Sequence, residues 1–266
     1  MATGVKARTT RHRATRSTIP ADRVLYLYGI TQVAEGGLPA VTAEGIEGSA
    51  SVEPLLCDDL VCWISRVPRD QFADNLSEQM QDLEWLASAG LRHQRAVADI
   101  AAKLTVLPAR FGTVFLNEES MVQHLKGRKA LLRAAFQQVA GADEWGIKLF
   151  AVAPRKNSST VTASSGADYL KKKADILRPR RSQTLDADAH AFIAALNKLA
   201  VASSPGGKAS AGQPGLIWHA SFLVRRKDRR KLEGVLKKYA AKWEGSRRID
   251  WSGPWPPYSF VGGHVH

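Results

Sequence analysis

Cysteine is nearly absent from this chain: its 266 residues hold two, Cys57 and Cys62. So few exclude a disulfide framework, and their spacing matches neither a zinc ribbon nor a thioredoxin motif. A reduced, cytoplasmic protein is expected, with both thiols serving as small buried hydrophobes. A cross-strand disulfide around the Asp58-Asp59 turn is the geometric alternative. Long hydrophobic runs are also missing. The longest are short segments such as Val24 to Ile30, far below the roughly 20 residues that cross a bilayer, so no transmembrane helix is predicted. The first 18 residues contain Lys6, Arg8, Arg11, Arg13 and Arg16 with no acid and no apolar stretch. That composition excludes a secretory signal peptide and leaves two readings, a disordered basic arm or an organellar transit peptide.

Catalytic signatures are lacking too. There is no Gly-rich phosphate loop, no His-Glu-x-x-His and no Gly-x-Ser-x-Gly elbow. His93 sits near Arg92 and Arg95 without a partner at fixed spacing, so it reads as a structural or surface histidine. His264 and His266 supply two ligands on a tail, an incomplete metal site. The expectation is a protein that is not an enzyme, with no cofactor and no metal.

Charge is present in an uneven pattern. The formal net charge is +13, but residues 19–150 hold 12 Lys/Arg against 17 Asp/Glu while residues 151–266 hold 21 against 8. The basic half concentrates its charge in Lys171-Lys172-Lys173 with Arg178, Arg180 and Arg181, and in Arg225 to Lys231. Such runs are solvated faces or pair with acidic surface, here including the chain's own acidic half. Nucleic acid is the other partner for a basic patch. However, no helix-turn-helix, zinc finger or RNP-type aromatic pattern accompanies it, and nucleic acid is not the expected partner.

Periodicity organises the rest. Val24 to Ile30 reads as a central strand, and Val52 to Cys57 with Leu60 to Val67 as a hairpin closed by Pro68. From Ser77, taken as N-cap, a long helix to Lys103 is predicted, with Met80, Leu83, Leu86, Val97, Ile100 and Leu104 on its apolar side. Val106 to Leu116 returns to strand. Asn117 opens a second helix that Gly141 stops, and Trp145 to Val152 is a further strand. In the second half, helices are expected at Ala167 to Ala174, about Leu185 to Ala202, and Lys227 to Trp243. Strands are expected at Leu216 to Val224 and Arg248 to Trp251, with Ser203 to Pro214 as a loop. The predicted fold class is α+β. Its parts are a disordered arm over 1–21, an N-terminal ferredoxin-like sheet-on-helix domain over 22–154, a second α+β domain over 155–252, and a Pro/aromatic segment and tail over 253–266.

Two segments stand out as recognition elements. Gly253 to Val261 holds three prolines in four positions, so it cannot continue a helix. Its rings Trp255, Tyr258 and Phe260 are expected to clamp onto a surface, either its own domain or another protein's groove. In Leu107 to Phe115, Pro108 suggests an edge strand or bulge and Gly112 a close backbone approach. Phe111 and Phe115 are then on one strand face, as core or as partner-binding groups, and Arg110 is on the other, with Glu84 or Glu144 as its carboxylate. The protein-interaction candidates are therefore Arg110, Phe111, Phe115, Trp255, Tyr258 and Phe260.

Three blocks, LPARFGTVF (107–115), EWGIK (144–148) and GPWPPYSFV (253–261), together resemble the signature of the gas vesicle protein F/L (GvpF/GvpL) family. Tyr26-Leu27-Tyr28-Gly29-Ile30 and the helix from Asp82-Leu83-Glu84-Trp85-Leu86 to His93 fit the same order, and the resemblance covers about residues 23 to 262. Departures are few: the basic arm, the loop near 203–214, and Ala109 and Gln94, which stand where bulkier or acidic residues are expected. The resemblance implies a ferredoxin-like N-terminal domain, a second α+β domain and a non-enzymatic accessory or minor structural role in the gas vesicle, a hollow prokaryotic shell that gives buoyancy. It further implies cytoplasmic location at the vesicle, with shell protein A and other gas vesicle accessory proteins as partners, aggregation of the shell protein prevented, and its nucleation or assembly assisted. A basic nucleic-acid-binding or regulatory protein is the competing reading.

Overall fold

The structure is a computed structural model and describes residues 20–34, 36–152, 185–207 and 213–261. The basic arm before residue 20, the cluster at 171–181, the helix expected at 167–174, and His264 and His266 lie outside the described residues. The chain divides into two compact units, with the change between Leu132 and Arg133.

The first unit is built on β1 (Arg23–Gln32), whose sequence RVLYLYGITQ is apolar at consecutive positions and buried from Val24 to Thr31. A strand of that composition is covered on both faces and belongs in the middle of a sheet. It pairs antiparallel with β3 (Leu60–Pro68) on one side, and β3 pairs with the edge strand β2 (Glu53–Cys57). On its other side β1 pairs with two short pieces, β4 (Val106–Pro108) and β5 (Val114–Phe115). The order is β2-β3-β1-β4, with β5 also on β1. The register of β1 shifts between Leu27 and Gly29. There β4 approaches closely: a Cβ on Gly29 would lie 2.8 Å from Val106 Cγ2 and 2.9 Å from the Leu107 carbonyl oxygen.

A π-helical turn (Asp70–Asp74) and the short α1 (Leu76–Gln79) precede α2 (Leu83–Lys103). The helix does not begin at Ser77 as expected. Asp82 caps it, accepting from the backbone N–H of Glu84 and Trp85, and Asp is at least as good a cap as Ser. The buried stripe is consequently Ala89, His93, Ala96, Val97 and Ile100, and the expected core residues Met80 and Leu83 are exposed. The single helix expected after Asn117 is two, α3 (Glu118–Lys126) and α4 (Lys129–Val139), separated at Gly127-Arg128.

The second unit places β6 (Ala142–Ala151), β7 (Ala200–Pro205), β8 (Leu216–Arg225) and β9 (Arg247–Trp255) in one antiparallel sheet of order β7-β8-β6-β9. The helices α5 (Ala187–Leu199) and α6 (Arg229–Lys242) contribute Phe192, Leu196, Leu232 and Leu236 to a core shared with Trp145, Ile147, Leu149, Phe222 and Trp243. The expected first-domain boundary at 154 is therefore corrected. Both partners of β6 come from later in the chain, and its inward side chains belong to the second core. Two further expectations change. The helix ends at Leu199, and Ala200–Pro205, read as helix end and loop, is an edge strand whose residues alternate between half-buried and exposed. The last strand runs through Gly253 and Pro254 to Trp255, which an edge strand with a register shift opposite Glu144–Gly146 accommodates because proline's missing N–H is not needed there.

Two glycines test this packing in opposite directions. Gly29→Ala is expected to destabilise the fold by about 1–3 kcal/mol, since the backbone of β4 cannot retreat from the new methyl. Gly90→Ala, inside α2 with nothing within 4 Å of its added Cβ, is expected to stabilise it by about 0.5–1 kcal/mol. Urea unfolding of both variants at pH 7.5 reads the two signs.

Candidate functional site

LPARFGTVF does not form one continuous strand. β4 and β5 are two fragments of an edge strand on β1, and residues 109–113 leave the sheet between them. This excursion is pinned at several points. Ala109 N donates to the Tyr28 carbonyl at 2.9 Å, and Thr113 O accepts from Leu27 N at 2.9 Å. Gly112 N donates to the Tyr26 hydroxyl at 3.2 Å, and the same hydroxyl lies 2.8 Å from His93 Nδ1. Gly112 is required for its φ of +82° rather than for the close approach expected of it, since an added Cβ meets only Leu76 Cδ2 at 3.5 Å.

His93 is a buried structural histidine in the middle of this arrangement. Burial pushes its pKa down to about 4, opposed by a hydrogen bond with the Ala109 backbone. Its neutral ring packs edge-on against Tyr26 and Phe111 and stacks on Tyr28. Phe111 is therefore not a strand residue. It is half-buried and closes an aromatic cluster with Tyr26 and Trp85.

Outside that cluster lies a shallow groove of about 480 Å³, lined by Arg110 through Phe115 and by His124. The Phe115 ring meets His124 edge-on at 5.2 Å. Burial, and then the nearby Arg128, lower the His124 pKa. Arg110 is exposed and makes no ion pair among the described residues; Glu144, one of its two expected partners, is committed elsewhere. The unit also exposes large apolar side chains. Leu83 is 78% exposed and Leu116 55%, and Met80 is also exposed. Leu83 and Met80 escaped the sequence reading because the helix start was placed too early. With Asp82 as cap, Leu83 is the first helical residue and falls off the stripe Ala89-His93-Ala96-Val97-Ile100.

Trp255, Tyr258 and Phe260 belong to the second unit. Trp255 ends β9 opposite Glu144 and is 41% exposed. Pro256 and Pro257 are buried, and Tyr258–Val261 forms one helical turn, α7. The buried Glu144 carboxylate accepts from Ser259 N at 2.8 Å and from Ser259 Oγ at 2.5 Å. Burial, then the charge of Glu144, push the Tyr258 phenol pKa up. Phe260 is half-buried.

With this geometry in hand, the chain was compared with known proteins. The family model for gas vesicle synthesis protein GvpL/GvpF matches residues 24–262. The chain belongs to the GvpL/GvpF family. It is 28% identical over 256 residues to gas vesicle protein L of Streptomyces sp. (strain CB03234), covering 91% of this chain and 94% of that protein. With gas vesicle protein F2 of Halobacterium salinarum it is 24% identical over 244 residues, covering 91% and 93%. Among solved structures it resembles the gas vesicle protein GvpF from Anabaena sp. PCC7120, with a TM-score of 0.65 at 22% identity over 90% of this chain and 96% of that one. The mixed fold of two antiparallel sheets with helices is thus the fold of this family. No helix among the described residues is long and apolar enough to cross a membrane.

Two measurements probe the site's supports. His93 has a folded pKa below its unfolded one, so it contributes stability that is present above pH 6.5 and lost as pH falls toward 4. The loss across that window is about 3 kcal/mol. Unfolding free energy measured from pH 7.5 to 5 should fall, and His93→Gln should flatten that slope while lowering stability at pH 7.5. In the second unit, Glu144→Ala should free Ser259, at a cost of about 2 kcal/mol, and increase proteolytic cleavage after Tyr258 and Phe260.

Proposed function

We propose that this chain is a non-enzymatic gas vesicle assembly protein. It binds the shell protein A, and other gas vesicle proteins, and keeps unassembled subunits from aggregating while they are delivered to the nucleating or growing shell. The observation that carries this reading is the pinned LPARFGTVF excursion, whose Phe111 and Phe115 line an open groove beside the exposed Arg110, in a unit that also exposes Met80, Leu83 and Leu116. Exposed apolar surface rimmed by charge marks protein recognition, and a partner that must be masked against aggregation supplies the complementary apolar surface. Arg110, free of an ion pair among the described residues, orients the partner by charge. On this reading both units are variants of the ferredoxin-like plan, supported by the common order of their four principal strands, second-third-first-fourth along the chain. The Glu144 to Ser259 hydrogen bonds support a role for the Pro/aromatic segment as an internal clasp that leaves Trp255 for a partner.

Co-expression of the gas vesicle shell protein A with this chain, followed by sedimentation and affinity capture at moderate salt, tests the reading. Wild type should hold the shell protein soluble and co-purify with it. Leu83→Glu combined with Leu116→Ser should reduce capture about tenfold while changing stability by no more than about 0.5 kcal/mol, both being surface positions and Glu being favoured in a helix's first turn. No co-purification with wild type, or equal capture by the double variant, overturns it.

A further inference from the structure

α6 carries more cations than its own unit neutralises. Around it Arg226 pairs with Asp143 at 3.0 Å, Arg229 with Glu233 at 2.8 Å, Lys231 with Asp228 at 2.7 Å, and Lys242 with Asp188 at 3.0 Å. Lys227, Arg230, Lys237 and Lys238 are exposed and make no ion pair among the described residues. Arg230 and Lys237 lie two turns apart on one face of α6 with Gly234 between them, Lys238 adjoins Lys237, and Lys227 precedes the helix in the 3₁₀ turn Arg226–Asp228. At 1.5 Å per residue, Arg230 and Lys238 are about 12 Å apart along the axis. Gly234, exposed between Arg230 and Lys237, and Ala241, exposed one turn beyond Lys237, leave this face nearly free of side chain at those points.

The first unit presents the complement. From residue 70 to residue 91 there is no Lys or Arg, whereas Asp70, Asp74, Glu78, Asp82 and Glu84 are all exposed. Only Asp74 among them has an ion pair within the described residues, with Arg69 at 3.4 Å. This segment is also largely helical, and Met80 and Leu83 stand out from it with no cover.

We propose that the outer face of α6 binds the acidic segment 70–84 of a second copy of this chain. The cationic row of one copy faces the carboxylates of the next, and Met80 and Leu83 rest on the Gly234 and Ala241 surface. The net charge of +13 does not prevent this, because at physiological salt charges beyond about 8 Å are screened and the facing groups decide. The contact is heterologous: each copy uses one surface as donor and the other as acceptor, so copies join head to tail into a ring or an open string. It does not depend on shell-protein binding, although it uses Leu83 as well, so self-association and subunit capture exclude each other at that surface. A reserve of self-associated copies would then release capture-competent protein on dilution or on meeting the shell subunit.

Sedimentation velocity of the full, nuclease-treated chain between about 2 and 100 µM, in 50 mM and 500 mM NaCl, tests it. The expected result is a sedimentation coefficient that rises with concentration at 50 mM and returns to the monomer value at 500 mM. Arg230→Glu/Lys237→Glu/Lys238→Glu should be monomeric at 50 mM, as should Asp74→Lys/Glu78→Lys/Glu84→Lys, each with wild-type circular dichroism. Mixing the two charge-reversed variants restores facing opposite charges and should restore association. A wild type that stays monomeric, association that survives in either variant, a mixture that fails to associate, or association that disappears once nucleic acid is digested would each overturn the proposal, the last assigning the cationic row to nucleic acid.

Discussion

The display of Arg110 and Phe111 depends on one hydrogen-bond relay. The Gly112 N–H reaches the Tyr26 hydroxyl, that hydroxyl meets His93 Nδ1, and the His93 ring also engages the Ala109 backbone. The relay joins both ends of the 109–113 excursion to the central strand and to the helix packed on it. Because Tyr26 and His93 are buried, no water competes for these bonds, and a broken link leaves a polar group in an apolar surround, which costs more than the bond itself contributes. The loop is thereby tied to the core while its outer side stays exposed.

The second sheet solves a different problem. Its helices and its inward residues Trp145, Ile147 and Leu149 account for one face. The alternating residues Glu144, Gly146 and Lys148 lie on the other, and a carboxylate placed there needs partners. Glu144 finds them in Ser259, with Ser221 3.2 Å from the same serine hydroxyl. Thus a residue in the middle of the chain and a residue near its end hold one another, and the prolines between β9 and α7 set the path without supplying donors that would need satisfying.

Much of this was legible in the sequence, and what was not has physical reasons. The strand Val24 to Ile30 declared itself because a short apolar run rich in β-branched and aromatic residues and followed by turn-prone sequence reads as a central strand. The hairpin around Asp58, whose φ of 56° Asp tolerates, was also readable. Ala200–Pro205 was not: alanine and serine carry weak strand preference, and only pairing with β8 makes it a strand. Leu83 was misjudged through the choice between two capping residues five positions apart, an error that converts an exposed residue into a core one. The first-domain boundary failed for a related reason. Local periodicity identifies β6 as a strand but says nothing about which sheet takes it, and its partners lie more than sixty residues later in the chain. Of the residues proposed for recognition, Arg110, Phe111 and Phe115 were singled out in the sequence by the odd combination of Pro108 and Gly112 within an apolar run. The acidic stretch 70–91, free of Lys and Arg, was not singled out in the sequence, and its exposure needed the structure.

Three of the shifted titrations mark groups that hold the fold. Each has a structural cause. His93 is kept neutral by burial, and Asp186, held near 2 by Arg247 and the Ala189 N–H, is the N-cap of α5. Tyr258 is raised by burial beside Glu144. At neutral pH His93 and Tyr258 are therefore uncharged and Asp186 is ionised. Fixed protonation states suit surfaces whose shape and charge must stay constant. Neutral His93 in particular keeps its hydrogen bond with the Tyr26 hydroxyl, and through it the tie to Gly112, well above pH 4.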